Sequence, residues 1–424
     1  MHPNPSRRAF LRGSLSSAAL VALGPTVPQF LLAASARAAE AGGESVLVVI
    51  QLSGGNDGLN TVIPYAHDVY RRSRPLLGIP AAKVRKIDDF VGLHPSMEGF
   101  SKLLEDGHLG IVQGVGYPKP NRSHFSSMDI WQSGRRQIAE EQVSYRATGW
   151  LGRCLDTQAA NQGVAAHAGH DVPGLHLGSG SGRLPLALIG QNVRVPSVQS
   201  LDAFKLEDGG DSRLRRAIQK AVEAPRDPND ELTAFICRGT RSALESSRQV
   251  QEAVRRYQTD VKYPDTGLAR RLKTVAQLID AGLGARVYYL DLDGFDTHAN
   301  QAAAHAELLA ELSGGVASFV NDLTRHGHGK RVLVMTFSEF GRRVRENASQ
   351  GTDHGAAAPM FLAGGRVRPG LLSKHPSMTD LDEGDLRLTT DFRSVYAGVL
   401  EYWLGVPSEP VLGEKFNSLN VVLS

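Results

Sequence analysis

The chain has 424 residues, of which 41% are hydrophobic and 21% are charged, as in an ordinary globular protein. Its net charge of +3 comes from residues 1–38, which carry four arginines and no acidic residue, while the rest carries 43 basic and 44 acidic side chains. This balance argues against nucleic-acid binding through a basic surface, and the length suits two domains or one large α/β domain with insertions.

The first 38 residues contain the three parts of a twin-arginine export signal. Arg7 and Arg8 precede an apolar stretch over residues 13–32, and Ala36-Arg37-Ala38 provides the small-x-small pattern of a cleavage site. The apolar stretch is interrupted by a Gly-Pro pair, which makes it a poor membrane span. We therefore expect export by the twin-arginine machinery, a periplasmic or secreted location, and no transmembrane span in the mature chain.

The first buried strand is predicted over residues 45–52, where the residues from Val46 to Ile50 are all apolar. The strand leads into the sequence SGGNDGLN, in which glycines allow a tight turn and close approach to a bound group. Asp57 offers a hard oxygen ligand for a metal, and Asn56 is a candidate substrate-binding residue. An ordinary turn rich in Gly, Asn and Asp explains the same residues and remains the alternative.

A helix is predicted over residues 95–106, followed by a short strand over residues 110–115. The next polar segment ends at Ser123, and a helix is expected from Phe125 to Gln132. Ser123 therefore stands at or just before a helix amino terminus, where free backbone N–H groups favour an anion or an alkoxide. An ordinary serine N-cap is the alternative.

The sequence from about residue 155 to 285 differs in composition and pattern from the rest of the chain. We predict that it forms an insertion or cap on the sheet. A segment rich in Gly and His leads to a short predicted strand, Leu186 to Ile189. Long helical patterns follow at Asp211 to Ala224 and Asp230 to Tyr257. Their alternating charges are typical of a solvated helix face.

Another strand is predicted over residues 285–292, and a helix over residues 302–323. Asp296 and His298 lie between them, two residues apart, so both can reach a metal that takes oxygen and nitrogen ligands. An Asp-rich turn with a solvated histidine is the alternative. His305, one turn into the helix, is predicted to be a packing or surface histidine.

The last clear unit of the sheet begins with a strand over residues 332–336 and turns polar at Ser338 and Glu339. Asp353 and His354 follow shortly before a second apolar run at residues 359–362. Ligands of open α/β sheets collect at the carboxyl ends of the strands. Four predicted strands end in metal-competent or nucleophilic residues, and this coincidence predicts a site at one edge of the sheet.

The motifs GGNDGLN, GLHP, NRSHF, FDTH, FSEFGR and TDHGAAAPMF occur in this order. Together they resemble an exported bacterial family, the domain-of-unknown-function 1501 family, over nearly the whole mature chain. That family resembles the alkaline-phosphatase-like superfamily of phosphatases, sulfatases and cofactor-independent phosphoglycerate mutases. The resemblance implies an α/β fold with a mostly parallel central sheet flanked by helices, as a single domain over residues 39–424 with a helical insertion.

In those enzymes an acid after the first strand, a hydroxyl nucleophile at a helix start and late Asp and His groups serve a pair of metal ions. By resemblance, Asp57 matches the first acid and Ser123 matches the nucleophile. Asp296 and His298 resemble the first late pair, although their spacing is tighter than the usual Asp-x-x-x-His.

Two alignments of the last motif remain open. In the first, Glu339 replaces the usual Asp-His pair and His354 is the final histidine. In the second, Asp353 and His354 themselves take the Asp-His-Gly place. A formylglycine sulfatase mechanism is disfavoured, because no Cys/Ser-x-Pro-x-Arg segment is present and Cys154 lies in Gly-Arg-Cys-Leu.

The leading hypothesis is an exported hydrolase of phosphate or sulfate esters, a small-molecule anionic substrate class. It predicts two divalent ions, with zinc, manganese and calcium not distinguished, and Ser123 attacking in line. Asn121 and the helix amino terminus would hold the oxyanion, and Arg122 or Arg342 would neutralise a remaining charge, with His124 also near the substrate. The alternative is a secreted binding or structural protein that keeps the fold without hydrolysis.

Overall fold

The structure is a computed structural model that describes residues 44–136, 148–161, 173–179, 184–193, 195–198 and 254–423. The predicted signal peptide, the predicted helix Asp211 to Ala224 and most of the predicted helix Asp230 to Tyr257 lie outside these residues. In the part of the chain that is described, no helix is long and apolar enough to span a membrane.

The strands are numbered in chain order. They are β1 (Val46–Ser53), β2 (Val62–Ile63), β3 (Arg85–Lys86), β4 (Gly92–Leu93), β5 (Leu109–Gly116), β6 (Gly174–Leu177), β7 (Ser197–Val198), β8 (Val287–Asp293), β9 (Val332–Phe337), β10 (Ala358–Ala363), β11 (Gly370–Leu371), β12 (Leu381–Asp382), β13 (Asp385–Leu386) and β14 (Thr390–Asp391).

The α-helices are numbered in the same way. They are α1 (Gly58–Thr61), α2 (Asp68–Ser73), α3 (Glu98–Glu105), α4 (His124–Ser133), α5 (Trp150–Asn161), α6 (Gly267–Asp280), α7 (Gln301–Arg325), α8 (Phe392–Gly398) and α9 (Ser408–Leu412). Short 3₁₀ turns occur at Leu186–Leu188 and Gly329–Arg331, and a π-helical turn at Val399–Trp403 extends α8.

The central sheet has nine strands among the described residues, in the order β11-β5-β10-β9-β1-β8-β6-β7, with β14 also pairing with β5. The strand β1 runs parallel to β8 and β9, and β6 runs parallel to β7 and β8. The strand β10 is antiparallel to both β5 and β9. The predicted α/β class with a mostly parallel sheet is therefore confirmed.

Helices cover both faces of this sheet, and β1 shows why the residues from Val46 to Ile50 are all apolar. Val46, Val48, Ile50 and Leu52 pack with α3, α6 and α7 on one face. Leu47 and Val49 pack with α4, α5 and α8 on the other face. Alternate side chains of a strand point to opposite faces, so a strand buried on both faces needs apolar residues at every position.

One predicted strand is wrong. The segment Leu186 to Ile189 forms a 3₁₀ turn at Leu186–Leu188. The turn satisfies its own backbone groups, because the amide of Leu188 donates to Pro185 O and the amide of Ile189 donates to Leu186 O, both at 3.0 Å. Three consecutive apolar residues fill a core in either conformation, so the apolar run alone does not distinguish a strand from a turn.

Four strands bring the loops of interest to one place. Strands β1, β5, β8 and β9 run in the same direction and end at the same edge of the sheet, here called the carboxyl edge. The antiparallel strand β10 begins at this edge, so the residues just before it arrive there too. The fold therefore gathers the polar segments after four strands and the segment before a fifth.

Trp131 fixes α4, which carries the residues next to Ser123, against the sheet. Its ring stacks on Phe392 with 4.3 Å between centroids and on Phe337 with 5.6 Å between centroids.

We predict that Trp131→Ala lowers the free energy of unfolding by about 3–5 kcal/mol in urea denaturation, because removing a large buried ring leaves a cavity. Phe125→Ala on the same helix is the control and should change it by less than about 0.5 kcal/mol, since Phe125 is 87% exposed. Equal losses in the two variants would contradict this account.

Candidate functional site

The fully buried guanidinium of Arg342 ties together the loops of the carboxyl edge. It donates hydrogen bonds to four backbone carbonyls and one carboxylate, those of Gly54, Gly55, Phe295 and Thr352 and that of Asp296. These groups follow β1 and β8 and precede β10. A single cation therefore holds three separate chain segments in register.

A glycine is required where two of these segments touch. Gly54 has a φ of +115°, and a Cβ atom built on it would collide with the backbone nitrogen of Asp296. Only glycine combines that conformation with so close an approach. The loop after β1 consequently lies directly against the loop that carries Asp296.

Three histidines converge on the carboxylate of Asp296. We call Asp296 with His124, His298 and His354 the histidine cluster. The Nε2 atoms of His298 and His354 both lie 3.1 Å from Asp296 Oδ1 and 2.9 Å from each other. The Nε2 atom of His124 lies 3.5 Å from Asp296 Oδ2. Burial raises the pKa of Asp296, but the hydrogen bond and charge of Arg342 and the adjacent imidazole of His354 outweigh it and lower the pKa to about 2. The carboxylate is therefore a fixed negative charge among three imidazoles.

The other ring nitrogen of each histidine faces an oxygen. His354 Nδ1 lies 2.8 Å from the carbonyl oxygen of Arg122, which can only accept, so Nδ1 carries the proton. His124 Nδ1 lies 2.8 Å from Glu339 Oε1, and His298 Nδ1 lies 3.5 Å from Asp353 Oδ1. Such partners fix the ring orientation and leave Nε2 with its lone pair facing the cluster.

This geometry fits a divalent metal ion. Ligand atoms about 2 Å from a tetrahedral ion lie roughly 3.3 Å from one another, close to the observed separations around Asp296. His124 Nε2 is buried and has no hydrogen-bond partner, as a ligand atom would be without its ion. Among the described residues, His124, Asp296 and His354 form the group of side chains able to hold a metal. Imidazole nitrogen with carboxylate oxygen suits zinc, manganese and related ions.

Phe340 forms an aromatic wall beside two of the histidines. Its ring centroid lies 4.9 Å from that of His124 and 4.6 Å from that of His354. Phe340 is itself buried, with 1% of its surface exposed. The ring shields one side of the imidazoles from water and restricts their rotation. Phe340 stands in the FSEFGR motif, but its sequence context did not predict this contact with the histidines.

Glu339, a predicted metal ligand, lies beneath His124 with its side chain buried. Its Oε1 accepts hydrogen bonds at 2.8 Å from the amide of Gly54 and from His124 Nδ1, and its Oε2 lies 3.1 Å from Ser338 Oγ. The carboxylate is thus occupied by protein donors. In this geometry Glu339 orients His124, and through His124 it acts on the cluster.

Ser123 immediately precedes α4, so it is the neighbour of His124 in the chain. It is exposed, and its side chain does not cap the helix. Its backbone amide donates to Asn121 Oδ1 at 2.8 Å. The hydroxyl is therefore not used in the helix terminus, in contrast to the ordinary N-cap considered from the sequence.

The side chain of Arg122 binds Asp385, at the start of β13. Its Nε and Nη2 atoms donate to Asp385 Oδ2 at 2.9 and 2.6 Å. Asp385 begins β13, so this contact ties the Ser123 loop to the β12–β13 hairpin. The predicted catalytic role of Arg122 is not supported, because its charge is paired with a carboxylate.

Two predicted substrate-binding residues, Arg342 and Asn56, are buried in the structure. Arg342 uses its guanidinium on the loops described above and has no exposed side-chain surface. Asn56 is also buried, and its Oδ1 accepts hydrogen bonds from Thr61 Oγ1 at 2.9 Å and from His305 Nε2 at 3.0 Å. The expectation that His305 is a packing histidine agrees with its burial.

Asp57 lies apart from the histidine cluster. Its Oδ2 accepts hydrogen bonds at 2.5 Å from Arg74 Nη1 and from Gln301 Nε2. The side chains of Asp57 and Arg74 are both fully buried. Arg74 carried no recognisable signal in the sequence, because it stands in an arginine-rich stretch without a motif.

Several solved structures are similar to this chain at low sequence identity. The PsFucS1 sulfatase from Pseudoalteromonas sp. is 12% identical, with a TM-score of 0.40, covering 99% of this chain and 75% of its own. A protein of the alkaline phosphatase superfamily from Vibrio parahaemolyticus is 8% identical, with a TM-score of 0.41, covering 88% and 69%. The zinc complex of the C-terminal periplasmic domain of EcEptC from Escherichia coli is 11% identical, with a TM-score of 0.33, covering 77% and 74%.

A comparison with curated proteins finds no match. The sequence profile of one family, described as "Protein of unknown function (DUF1501)", matches residues 44–380. This range includes β1 and every residue of the histidine cluster, and it spans more than half of the chain. The chain therefore belongs to the DUF1501 family, as its motifs predicted.

Proposed function

We propose that this chain is a metal-dependent hydrolase of phosphate or sulfate esters with Ser123 as the nucleophile. The observation that carries the proposal is the convergence of three imidazole Nε2 atoms on Asp296, at the carboxyl edge and next to Ser123 in the chain. The ester class comes from the resemblance of the motifs to the alkaline-phosphatase-like superfamily.

A divalent metal ion would be held by His124, Asp296 and His354, with His298 as a further ligand. When bound, such an ion supplies positive charge that stabilises the oxygens of a transferring phosphoryl or sulfuryl group. The protein orients the imidazoles of this metal site through contacts of their Nδ1 atoms, and Phe340 shields two of the rings. The site is therefore organised before any ligand arrives.

Ser123 is the attacking group in this proposal. Its Oγ forms a bond to phosphorus or sulfur while the bond from that atom to the ester oxygen breaks. The serine hydroxyl loses one proton and the departing oxygen takes up one proton, so the products are an esterified serine and an alcohol. Water then cleaves the serine ester and restores the hydroxyl. The exposed position of Ser123 supports this role.

The start of α4 provides donors for the negative charge that develops during the attack. The first turn of a helix leaves backbone N–H groups without helical partners, and they favour anions. Asn121 is exposed and already uses Oδ1 to accept from the amide of Ser123. Its side-chain N–H groups remain for an oxyanion, as the sequence suggested.

Ser123→Ala tests the nucleophile. We predict that it lowers kcat for 4-nitrophenyl phosphate or 4-nitrophenyl sulfate by at least about 1,000-fold, because no other hydroxyl takes its place. Ser126→Ala, one turn along α4, is the control and should leave kcat near the wild-type value. Metal content measured on the same samples separates loss of the nucleophile from loss of the metal. Full turnover by Ser123→Ala would refute the assignment.

Glu339→Gln tests the metal and the orienting role of Glu339. We predict metal affinity about 10–100-fold weaker in competition with a chromogenic chelator for Zn²⁺, because His124 loses its charged partner. Glu307→Gln, on the exposed side of α7, is the control and should bind the metal as the wild type does.

A wild-type protein that binds no metal and melts at the same temperature with and without chelator would favour the non-catalytic binding or structural alternative.

Export through the twin-arginine pathway to the periplasm or beyond is part of the same proposal. It is supported by the paired arginines, the apolar stretch and the cleavage pattern within residues 1–38. We predict that replacing both Arg7 and Arg8 with lysine leaves the full chain in the cytoplasm on cell fractionation. Arg12→Lys is the control and should be exported. Equal export of both variants would refute this route.

A further inference from the structure

The resemblance implies two metal ions, with Asp57 as a ligand of one of them. In the structure, the nearest charged partner of Asp57 is the guanidinium of Arg74, whose Nη1 lies 2.5 Å from Asp57 Oδ2. Both side chains are fully buried. A buried carboxylate requires a compensating positive charge, and here that charge is part of the chain.

The guanidinium of Arg74 is held in place by its other hydrogen bonds. Its Nε donates to the carbonyl of Val344 at 3.0 Å, and its Nη2 donates to the carbonyl of Arg343 at 2.9 Å. Its Nη1 also donates to Asn60 Oδ1 at 3.0 Å. Moving Arg74 aside to admit a metal would leave several buried acceptors without donors.

No second cation is needed beside Asp57. Burial raises the pKa of Asp57, but the charge and hydrogen bond of Arg74 outweigh it and the net pKa lies below the usual value. His305 faces the same network through Asn56, and burial lowers the pKa of His305 to about 4, so it is neutral near pH 7. One carboxylate and one guanidinium therefore balance each other.

The surroundings of Asp57 also lack the ligands that a second ion would need. Asp57 Oδ1 is buried and has no hydrogen-bond partner. However, within the described ranges, Asp57 belongs to no group of three histidine, cysteine or acidic side chains that could hold a metal. A divalent ion added there would meet the positive charge of Arg74 at close range, which opposes its binding.

We propose that the site binds one divalent ion, at the histidine cluster, and that Arg74 is a permanent cation in place of the second ion. The inference rests on the metal-dependent function proposed above. It has a chemical consequence, because a guanidinium neutralises charge but does not bind or ionise a water molecule as a metal does. Any activation of Ser123 then comes from the single ion and the start of α4.

Gln301 connects the ion pair of Asp57 and Arg74 with the segments that carry the histidine cluster. Its Nε2 donates to Asp57 Oδ2, and its Oε1 accepts from Thr297 Oγ1 at 3.1 Å and from Thr352 Oγ1 at 2.6 Å. Thr297 lies between Asp296 and His298 in the chain, and Thr352 precedes Asp353. The ion pair of Asp57 and Arg74 therefore supports the segments that carry the cluster without supplying a ligand to it.

The test is the number of ions bound per chain. Wild-type protein saturated with Zn²⁺ and passed through a desalting column should retain one equivalent by plasma mass spectrometry. Two equivalents would overturn the inference and leave the proposed function intact. No bound metal would overturn both. Asp296→Asn is the negative control, and it should lose the ion.

A neutral replacement of the pair tests Arg74 directly. The double variant Asp57→Asn with Arg74→Gln should keep one equivalent of Zn²⁺, since neither residue is a ligand. Loss of the ion from a double variant that still melts cooperatively would overturn the inference. Arg74→Gln alone should lower the melting temperature more than the double variant does, because it leaves a buried carboxylate unpaired. Equal or smaller loss in the single variant would also overturn it.

Discussion

The carboxyl edge depends on the guanidinium of Arg342. Loops at the end of a sheet have no ladder hydrogen bonds of their own, so their carbonyl groups need donors from elsewhere. Arg342 supplies donors to the loops after β1 and β8 and to the segment before β10. It also binds Asp296 at 2.7 Å. Because one rigid, planar group serves all of these acceptors, the position of Asp296 is coupled to the path of the loop after β1.

Two buried carboxylates near this edge have different tasks, although both follow a strand end. Glu339 is contacted by the imidazole of His124 and an amide, and it orients a histidine whose Nε2 has no partner. Asp57 is contacted by a guanidinium, and its charge is already balanced. A buried acidic side chain therefore orients a candidate metal ligand in one case and forms a structural ion pair in the other.

The sequence predicted the sheet well because its strands are buried on both faces. The apolar runs of β1, β5, β8 and β9 lie within one or two residues of their predicted limits. The meeting of Asp296 and His354 was predicted from the strand ends, since both are forced to the same edge, whereas His124 was predicted only as a substrate-binding residue. What the sequence could not provide was the partner of each polar side chain. Arg74 and Glu339 meet their partners through tertiary contacts, and no local spacing reports such a contact.

The burial of polar residues at the carboxyl edge has a common physical basis. Arg342 and Asn56 stand in loops rich in glycine, where polar residues are ordinarily exposed. Both are buried because the loops pack against one another instead of against water, as the contact of Gly54 with Asp296 requires. A polar residue in such a loop can bond to other groups of the protein instead of to a ligand.

The antiparallel direction of β10 has a consequence for how the protein acquires its cluster. His124 follows β5, Asp296 and His298 follow β8, and His354 reaches the edge only because β10 inserts between β5 and β9. In an unfolded chain these side chains are far apart and have no shared geometry. Any ion or molecule that selects the assembled cluster can bind only after the whole sheet has formed. Such a ligand would act as a check on the completeness of folding, since its binding draws the population toward the native chain.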